Sequence, residues 1–483
     1  MKNYLHISQS PTSLKSAWLA LLGLSAVFLF EMLDNSILNV ALPTIGKELN
    51  ASISSLGWVT SSYSIAFGSL MLIFGLVADR YGRKRLMLIG LVLLLVSGLL
   101  IVFVHSIAGL IAIRILMGIA AAMTTPLSLA LAFRLFSDDS LRVRAMSLIS
   151  TVGLVGLAIG PTVSGLVLAF APWETLIIMN SPIALLALIS LLLGIPSDSR
   201  EELHSNPIDI LGALLGAISI VGFLLSVNFL SNYNLNSLRF WIVIFATILS
   251  ASLFFVRAKK TAFPVIHLNL IKLPLVSSGL LYKISAGMVT AIVGYIATFQ
   301  LQQEYGWSPT AAALGLLPQI VALFVTGFFV NKLSEKFGFK ALAWASSILI
   351  VIGLGTYILS NSLGYIWIAI SLVLIAIGVR VNGVISGTNV FRGLPKEHTS
   401  IGSALVDTSS QLASSIGIII TSSAIAVFFK GNFSSVGWNS VEIQSFHFSI
   451  NIAGTIVLVL ATAFTTWGIY CGSRKPLEIS LKK

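Results

Sequence analysis

Two acidic residues lie inside an apolar stretch near the start of the chain. Residues 17–40 form a hydrophobic run long enough to cross a bilayer, and Asp34 lies within it, with Glu31 about one helical turn earlier. A charged side chain at membrane depth costs about 3 kcal/mol on insertion scales, so such residues usually have a function. A carboxyl group at that depth can take up and release protons. The pair therefore predicts a proton-coupled membrane process, with Asp34 and Glu31 sharing one titration.

The composition indicates that these carboxylates belong to an integral membrane protein. Only 10% of the 483 residues are charged, whereas a soluble domain has about 25%. Apolar runs of about 20 residues, each a candidate span, recur along the whole chain. The predicted spans are 17–43, 53–77, 86–104, 107–133, 143–170, 174–195, 208–230, 237–256, 276–300, 311–332, 340–359, 365–390, 402–428 and 447–471. The sequence predicts an all-α membrane protein with 14 helices.

The net charge of +12 is explained by membrane topology, because the excess basic residues lie in loops on one side of the membrane. If the N-terminus is cytoplasmic, all but six of the 29 lysines and arginines fall in cytoplasmic loops and tails. The six are Lys47, Arg239 and Lys430 in outer loops, and Arg114, Lys283 and Arg380 inside spans. This asymmetry is the positive-inside rule. It predicts a bilayer as the partner rather than nucleic acid, and both termini in the cytoplasm.

The sequence lacks the residue patterns of an enzyme. The single cysteine, Cys471, excludes an intramolecular disulfide and a cysteine-rich metal site, and the six histidines show no ligand spacing. No nucleophile elbow or phosphate-binding loop occurs. We therefore expect no enzyme activity, no metal and no cofactor, with a proton gradient rather than ATP as the energy source.

The spans divide into six, two and six. We predict an N-terminal six-helix bundle in residues 1–200, two extra helices with a linker in 201–260, and a C-terminal six-helix bundle with a tail in 261–483. An internal echo supports this, because Asp79–Lys84 and Glu335–Lys340 occupy matching loops and share an acid, a base, an aromatic, a glycine and a final base. Many transporters are built from such repeats, with the substrate site between the halves.

The loop after the second span resembles the cytoplasmic signature of the major facilitator superfamily. Its motif residues are Gly75, Asp79, Arg80, Gly82 and Arg83, which we expect to form a gating loop. Gly75 is expected to allow close helix approach and Gly82 a tight turn. Asp79 is expected to face a helix N-terminus, and the arginines to pair with acids.

Four further segments resemble the fourteen-spanner drug:proton antiporters of that superfamily. They are Leu33–Pro43, Trp58–Tyr63, Pro207–Gly212 and Gln302–Pro318. The resemblance implies two six-helix bundles plus two added helices in a bacterial inner membrane, functional as a monomer. It implies export of small hydrophobic or cationic compounds in exchange for protons. The alternatives are export of a specific, siderophore-like anionic metabolite and, more distantly, a non-transporting membrane sensor.

The fifth span resembles the antiporter motif of the same family. Its residues are Gly156, Gly160, Pro161 and Gly165, with Ser164 in place of a usual glycine. Small residues four apart permit close helix packing in lipid, and proline bends a helix. The resemblance implies a helix that seals one face of an exporter. The alternative is a bent packing helix with no directional meaning.

Arg114 resembles the buried arginine of the family's fourth-span motif, with Met117 where glutamine is usual. The resemblance implies a partner for the first-span carboxylates that changes their proton affinity as the helices move. Burial favours the neutral carboxyl, and a nearby arginine favours the charged form. Its movement would therefore load or release the proton, whereas the alternative is a static ion pair.

Other residues are candidates for a substrate cavity. The aromatic candidates are Trp58, Tyr63, Phe67, Tyr295 and Phe299, although tryptophan and tyrosine also anchor membrane interfaces. Asp407 is either a cavity residue or an interfacial cap, and Lys283 can snorkel to the cytoplasmic face. Arg380, in a glycine-rich span, either pairs with a carboxylate or attracts an anionic substrate group.

Overall fold

The computed structural model describes residues 11, 13–136, 138–198, 209–232, 238–261, 264–265, 268–360, 363–394, 399–430 and 438–474. Within them every regular element is a helix, because a chain in lipid must satisfy its backbone internally. The first helices are α1 (Trp18–Glu48), α2 (Ile53–Tyr81), α3 (Arg83–Leu100), α4 (Ile107–Leu135), α5 (Asp139–Val167), α6 (Glu174–Ile178), α7 (Asn180–Gly194) and α8 (Ile210–Asn232). They continue as α9 (Leu238–Lys260), α10 (Leu268–Ile271), α11 (Pro274–Phe299), α12 (Pro309–Gly315), α13 (Leu317–Ser360), α14 (Tyr365–Gly393), α15 (Thr399–Phe428) and α16 (Ser440–Gly472).

The predicted all-α membrane fold is confirmed, and the described residues include twelve or thirteen helices with the length and composition of a membrane span. Twelve helices are long and apolar enough to cross a bilayer, and α2, bent by 48° between Met71 and Ile73, is the thirteenth. The predicted seventh span corresponds to α8, in which the residues with described side chains, Ile210–Ser226, form a shorter apolar helix. The count of fourteen therefore stays a prediction.

Polar side chains fix where several helices begin. Ser52, Ser106 and Asp138 each accept a hydrogen bond from a backbone N–H in the first turn of the helix that follows. Asn439 and Glu442 form a reciprocal capping box at the start of α16. These caps satisfy N–H groups that a helix cannot pair by itself. The capping residues therefore fix the position at which each of these helices begins.

The two echoing hexapeptides have the same backbone geometry. Gly82 separates α2 from α3 with φ of 111°, and Gly338 interrupts α13 with φ of 76°. L-residues with a Cβ rarely adopt this left-handed region, whereas glycine does so readily. Glycine therefore makes the same sharp turn between consecutive spans in both halves of the chain.

The helices pack as two groups with an added pair. In the first group α1 packs on α5 and α7, and α2 on α4; in the second, α11 packs on α14, α15 and α16. Helix α2 also packs along α15, which joins the groups. Helices α8 and α9 pack together, and α8 lies against α2 and α15, so the pair covers the seam between the groups on that side.

Asp209 fixes the start of the added pair. Its Oδ1 accepts a hydrogen bond from the N–H of Gly212 at 2.9 Å and one from Nε of Arg257 at 2.5 Å. This ion pair joins the start of α8 to the end of α9. Pro207 and Ile208 of the predicted entry motif lie outside the described residues, as does the predicted bundle boundary at 200–201.

Candidate functional site

Asp34 and Arg114 form a buried ion pair between α1 and α4. Nη1 of Arg114 donates to Oδ2 of Asp34 at 2.6 Å, and their side chains are only 1% and 3% exposed. Nε of Arg114 donates to the carbonyl of Val59 at 3.3 Å, and its guanidinium lies 4.4 Å from the ring centroid of Tyr63. The structure thus places the predicted arginine directly on the predicted carboxylate.

Asn180, which the sequence analysis did not single out, completes the surroundings of Asp34. It is the first residue of α7, is 1% exposed, and donates from Nδ2 to Oδ1 of Asp34 at 2.8 Å. Each carboxylate oxygen therefore has its own donor from a different helix. The available signal was the polar Asn180–Ser181 pair inside an otherwise apolar span.

Glu31 lies between the two halves of the molecule. It is 4% exposed, and its Oε2 has no hydrogen-bond partner within the described residues. Lys283 of α11 and Asp407 of α15 are near enough to act on its charge. Thr125 of α4 is also a neighbour of Glu31. The two acidic residues of α1 therefore differ, because both partners of Asp34 belong to the first helix group whereas Glu31 has neighbours in both groups.

Asp407 and Lys283 belong to the interior of the second helix group. Asp407 lies eight residues after α15 begins at Thr399, so the alternative role as a cap of that helix does not fit. Lys283 lies near Asp407, yet among the described ion pairs none joins the two within 4.0 Å. These side chains and Glu31 make a loose set of charges between the halves.

The predicted aromatic residues occupy different environments. Tyr63 and Phe67 are fully buried with ring centroids 6.0 Å apart, as are Tyr295 and Phe299 at 5.0 Å. Trp58 instead lines an apolar cavity of about 740 Å³ between α2, α4 and the α8–α9 pair. Four of the five candidates thus pack within the protein, and Trp58 faces the added helices.

Among the described residues, the shortest hydrogen bonds between the halves lie at one end of the bundle, whereas those that join α15 to α2 are longer, at 3.5 and 3.7 Å. We call the end that carries Arg83, Arg257 and Arg392 the basic face, and the other end the opposite face. The contacts here are hydrogen bonds from Tyr295 to the carbonyl of Ile53, from Gln302 to that of Val40, and from Thr310 to that of Gly165, at 3.1, 2.8 and 2.6 Å. All three lie toward the opposite face, which the halves close.

The antiporter motif supplies close helix approach at that closure. A Cβ on Gly165 would lie 2.7 Å from Cα of Thr310, so α5 meets α12 of the other half backbone to backbone. On the same helix, a Cβ on Gly156 would lie 2.9 Å from the carbonyl oxygen of Leu29, and one on Gly160 would overlap Ser36. Pro161 lies between these contacts, within α5. The motif residues therefore hold α5 against α1 and against the opposite half.

The loop motif on the basic face differs in part from its prediction. Asp79 pairs with Arg83 at 2.7 Å, whereas Asp198 is the acid at the α3 N-terminus, where its carboxylate accepts hydrogen bonds from the backbone N–H groups of Lys84 and Arg85. A Cβ on Gly75 would meet no atom within 4 Å, so close helix approach does not explain this glycine.

Arg80 and Arg83 differ in their partners within this loop. Arg83 has its predicted acid, Asp79, while the guanidinium of Arg80 lies 5.8 Å from the ring centroid of Tyr81. The sharp turn at Gly82 brings the ends of α2 and α3 together. The loop is thus a compact polar link on the basic face.

A second polar network, also missed from the sequence, lies in the second helix group. Tyr357 donates to Gln300 at 2.8 Å, Gln300 to Glu304 at 3.0 Å, and His447 meets Glu304 at 2.9 Å. Residues 300–304 form a π-helical turn after α11, a feature frequent at functional sites. The same turn carries Gln302, which contacts α1, so this network adjoins the closed face.

Arg380 lies in the middle of α14 and lines a cavity of about 340 Å³ between α5 and α13. The structure therefore sets the predicted site residues in two places, with Asp34, Glu31 and Arg114 along α1 and α4, and Arg380 at the α5–α13 seam. In the described residues no three His, Cys, Asp or Glu side chains are grouped as metal ligands.

A family comparison identifies this architecture. A protein-family model described as Major Facilitator Superfamily matches residues 24–418 of the chain. The chain belongs to the major facilitator superfamily. It is therefore a multi-pass membrane transporter rather than an enzyme, of a kind that binds small molecules within the membrane.

Individual relatives agree with this assignment. The chain is similar to the multidrug efflux pump LfrA of Mycolicibacterium smegmatis, with 28% identity over 421 residues covering 86% of this chain and 82% of the relative. The methyl viologen resistance protein SmvA of Salmonella typhimurium is 27% identical over 409 residues, covering 83% and 81%. A solved bacterial homologue of the human lysosomal transporter Spinster, inward-facing and unoccupied, shares the fold with a TM-score of 0.67 and 17% identity, covering 94% of this chain and 97% of that one.

Proposed function

We propose that this protein exports small hydrophobic or cationic compounds across a bacterial inner membrane in exchange for protons. The observation that carries the proposal is Asp34, a carboxylate about 24 Å along α1 at 1.5 Å per residue, held between Arg114 and Asn180. Relatives named as a multidrug efflux pump and a methyl viologen resistance protein support the substrate class.

The coupling follows from the ion pair. Protonation of Asp34 removes the charge that holds Arg114, so the link between α1 and α4 weakens and the guanidinium must find other acceptors. A substrate cation that binds better to the charged carboxylates competes with the proton, which gives exchange by linkage. Glu31, with its unpaired oxygen between the halves, is the second proton carrier in this scheme. Asp407 and Lys283 adjust its charge from the other half.

The architecture of the proposal has two six-helix bundles, residues 1–200 and 261–483, with α8 and α9 as an added pair. Helix packing within each group and the matching turns at Gly82 and Gly338 support it. The positive-inside rule places the basic face and both termini in the cytoplasm. The opposite face, which the halves close, then faces outward. In this scheme the two halves rock against each other to open the cavity to one side of the membrane at a time. A single monomer carries out the cycle.

Asp34→Asn tests the coupling. In proteoliposomes with an imposed pH gradient, we expect the variant to lose uphill accumulation of ethidium and to retain downhill exchange, since asparagine keeps the shape but carries no titrating proton. Each proton that crosses down the imposed gradient contributes about 1.4 kcal/mol per pH unit, so loss of the coupled proton removes this drive.

Asp138→Asn is the matched control, because it removes a carboxylate at the start of α5 while asparagine remains a good helix cap. It is expected to transport like the wild type. Full uphill transport by Asp34→Asn would contradict the proposal and move the coupling site to Glu31 or Asp407.

A further inference from the structure

Arg380 is a charged side chain near the middle of a spanning helix. It lies about 22 Å from the start of α14 at 1.5 Å per residue, and its Nε is buried with no hydrogen-bond partner within the described residues. No described carboxylate lies within ion-pair distance of it. The guanidinium is thus placed at membrane depth without the partner that Arg114 has.

Gly327 provides the space for this side chain. A Cβ on Gly327 would lie 3.1 Å from both Nε and Nη2 of Arg380, closer than ordinary packing allows. The absence of a side chain on α13 at this position therefore leaves room for the guanidinium beside the helix. Gly327 and Arg380 both line the same cavity.

The cavity next to Arg380 joins the two halves. Its volume is about 340 Å³, which is at the lower end for small-molecule sites. Residues of α5 form one wall and residues of α13 the other. Apart from Arg380 and Gly327, the lining residues are Thr151, Leu154, Leu157, Ala158, Ile320, Leu323, Phe324 and Phe328. The site thus combines one permanent positive charge with a largely apolar wall.

The chemistry of arginine selects the ligand. A guanidinium stays charged in proteins, and such a charge at membrane depth is costly unless an anion or polar groups compensate it. Its planar N–H groups match the paired oxygens of a carboxylate or sulfonate. We propose that the seam cavity binds an amphipathic organic anion, with its carboxylate or sulfonate on Arg380 and its apolar body against Leu157 and Phe324.

This proposal rests on the proposed export function and extends its substrate class to anions. The carboxylates of α1 suit a cation, whereas the seam cavity presents a charge of the opposite sign on a different pair of helices. Cationic and anionic compounds therefore bind at separate positions between the same two halves. The anion site moves with α5 as the halves alternate, because α5 forms one of its walls.

Equilibrium dialysis of the purified protein in detergent tests the site. The probes are naphthalene-2-sulfonate and a cation of similar size, (2-naphthylmethyl)trimethylammonium, each corrected for binding to protein-free micelles. We expect saturable sulfonate binding at one site in the wild type. Arg380→Gln should weaken it at least tenfold, Arg380→Lys should retain part of it, and affinity for the cation should change less than twofold in both.

Arg392→Gln is the matched control, because it removes the same charge from the same helix but outside the cavity. Its sulfonate affinity should stay within twofold of the wild type. If Arg380→Gln is not monodisperse, Leu154→Trp tests the site instead, because it fills the cavity and keeps the arginine. Leu154→Trp should abolish sulfonate binding.

Two outcomes overturn the anion site. They are equal sulfonate affinity in wild type and Arg380→Gln, and sulfonate binding that survives in Leu154→Trp. Failure of the export function has a different signature. In that case Asp34→Asn would keep full uphill ethidium transport while the dialysis results still followed Arg380, so the two failures are distinguishable.

Discussion

Asp34 and Arg380 are both charged residues near the centre of a membrane helix, yet their surroundings are opposite. Asp34 is 2% exposed, and two donors from other helices satisfy its oxygens. Arg380 is partly buried beside a cavity, and its Nε has no partner in the part of the chain that the structure describes. The first charge is neutralised by the protein, and the second is left for something that enters the cavity.

The difference separates two uses of a charge in a membrane. A neutralised pair can act as a switch, because adding a proton to the acid leaves the arginine without its counter-charge, so the arginine must find other acceptors. An uncompensated charge at a cavity wall attracts a counter-charge from outside the fold. The helix α5 connects the two positions, since one of its faces packs on α1 and another lines the cavity.

The largest expected effect comes from breaking the neutralised pair. Arg114→Gln should lower the free energy of unfolding by about 3–5 kcal/mol, because it leaves the buried Asp34 without its counter-charge. The double variant Asp34→Asn/Arg114→Gln should recover more than half of this loss, since no buried charge then remains. Thermal unfolding of the purified variants in detergent measures both.

Arg380→Gln provides the contrast in the same measurement. Its charge has no partner to lose, so its melting temperature should equal or exceed that of the wild type. A loss as large as that of Arg114→Gln would show that the two charges are held alike, and the contrast between the sites would fail.

An intermediate effect is expected at the helix that links the two sites. A Cβ at position 156 would lie 2.9 Å from the backbone oxygen of Leu29, so Gly156→Ala forces α5 away from α1. We expect a destabilisation of about 1–3 kcal/mol, as for overpacking, together with reduced ethidium transport and weaker naphthalene-2-sulfonate binding. Thermal unfolding, transport and dialysis on one preparation measure the three.

Gly355→Ala is the control for this substitution, because a Cβ there meets no atom within 4 Å. It should stabilise the protein by up to about 1 kcal/mol through helix propensity. If Gly156→Ala changes transport but leaves sulfonate binding intact, then α5 does not couple the two sites.

The smallest effect is expected for a partly exposed pair on the basic face. Asp79 and Arg83 are 33% and 18% exposed, so Asp79→Asn should change stability by less than about 1 kcal/mol. We expect it to slow exchange between conformations while leaving substrate affinity unchanged. Single-molecule fluorescence between labels on the two halves measures the exchange rate, and dialysis measures affinity.

Asp198→Ala is the comparison for this loop, because Asp198 and not Asp79 bonds the start of α3. Its stability loss should exceed that of Asp79→Asn, at about 1 kcal/mol for a helix cap. Reduced substrate affinity with an unchanged exchange rate in Asp79→Asn would exclude a gating role for this acid.

The sequence by itself determined the all-α membrane fold, the family resemblance and the residues that carry charge into the membrane. Apolar runs and basic loops are properties of consecutive residues, so they can be read without a fold. The turn at Gly82 was equally accessible, since glycine is the residue that adopts φ of 111° without strain. Resemblance also pointed to Arg114 as the partner of the first-span carboxylates.

Only the tertiary structure decided which side chains meet. Asn180 reaches Asp34 across 146 positions of sequence, Glu31 has neighbours in both halves, and Arg380 lines a cavity built by α5 and α13. These contacts depend on how each helix is rotated about its axis and on which helices are neighbours. Such choices are set by packing across the whole bundle, and the local pattern of residues along one helix does not contain them.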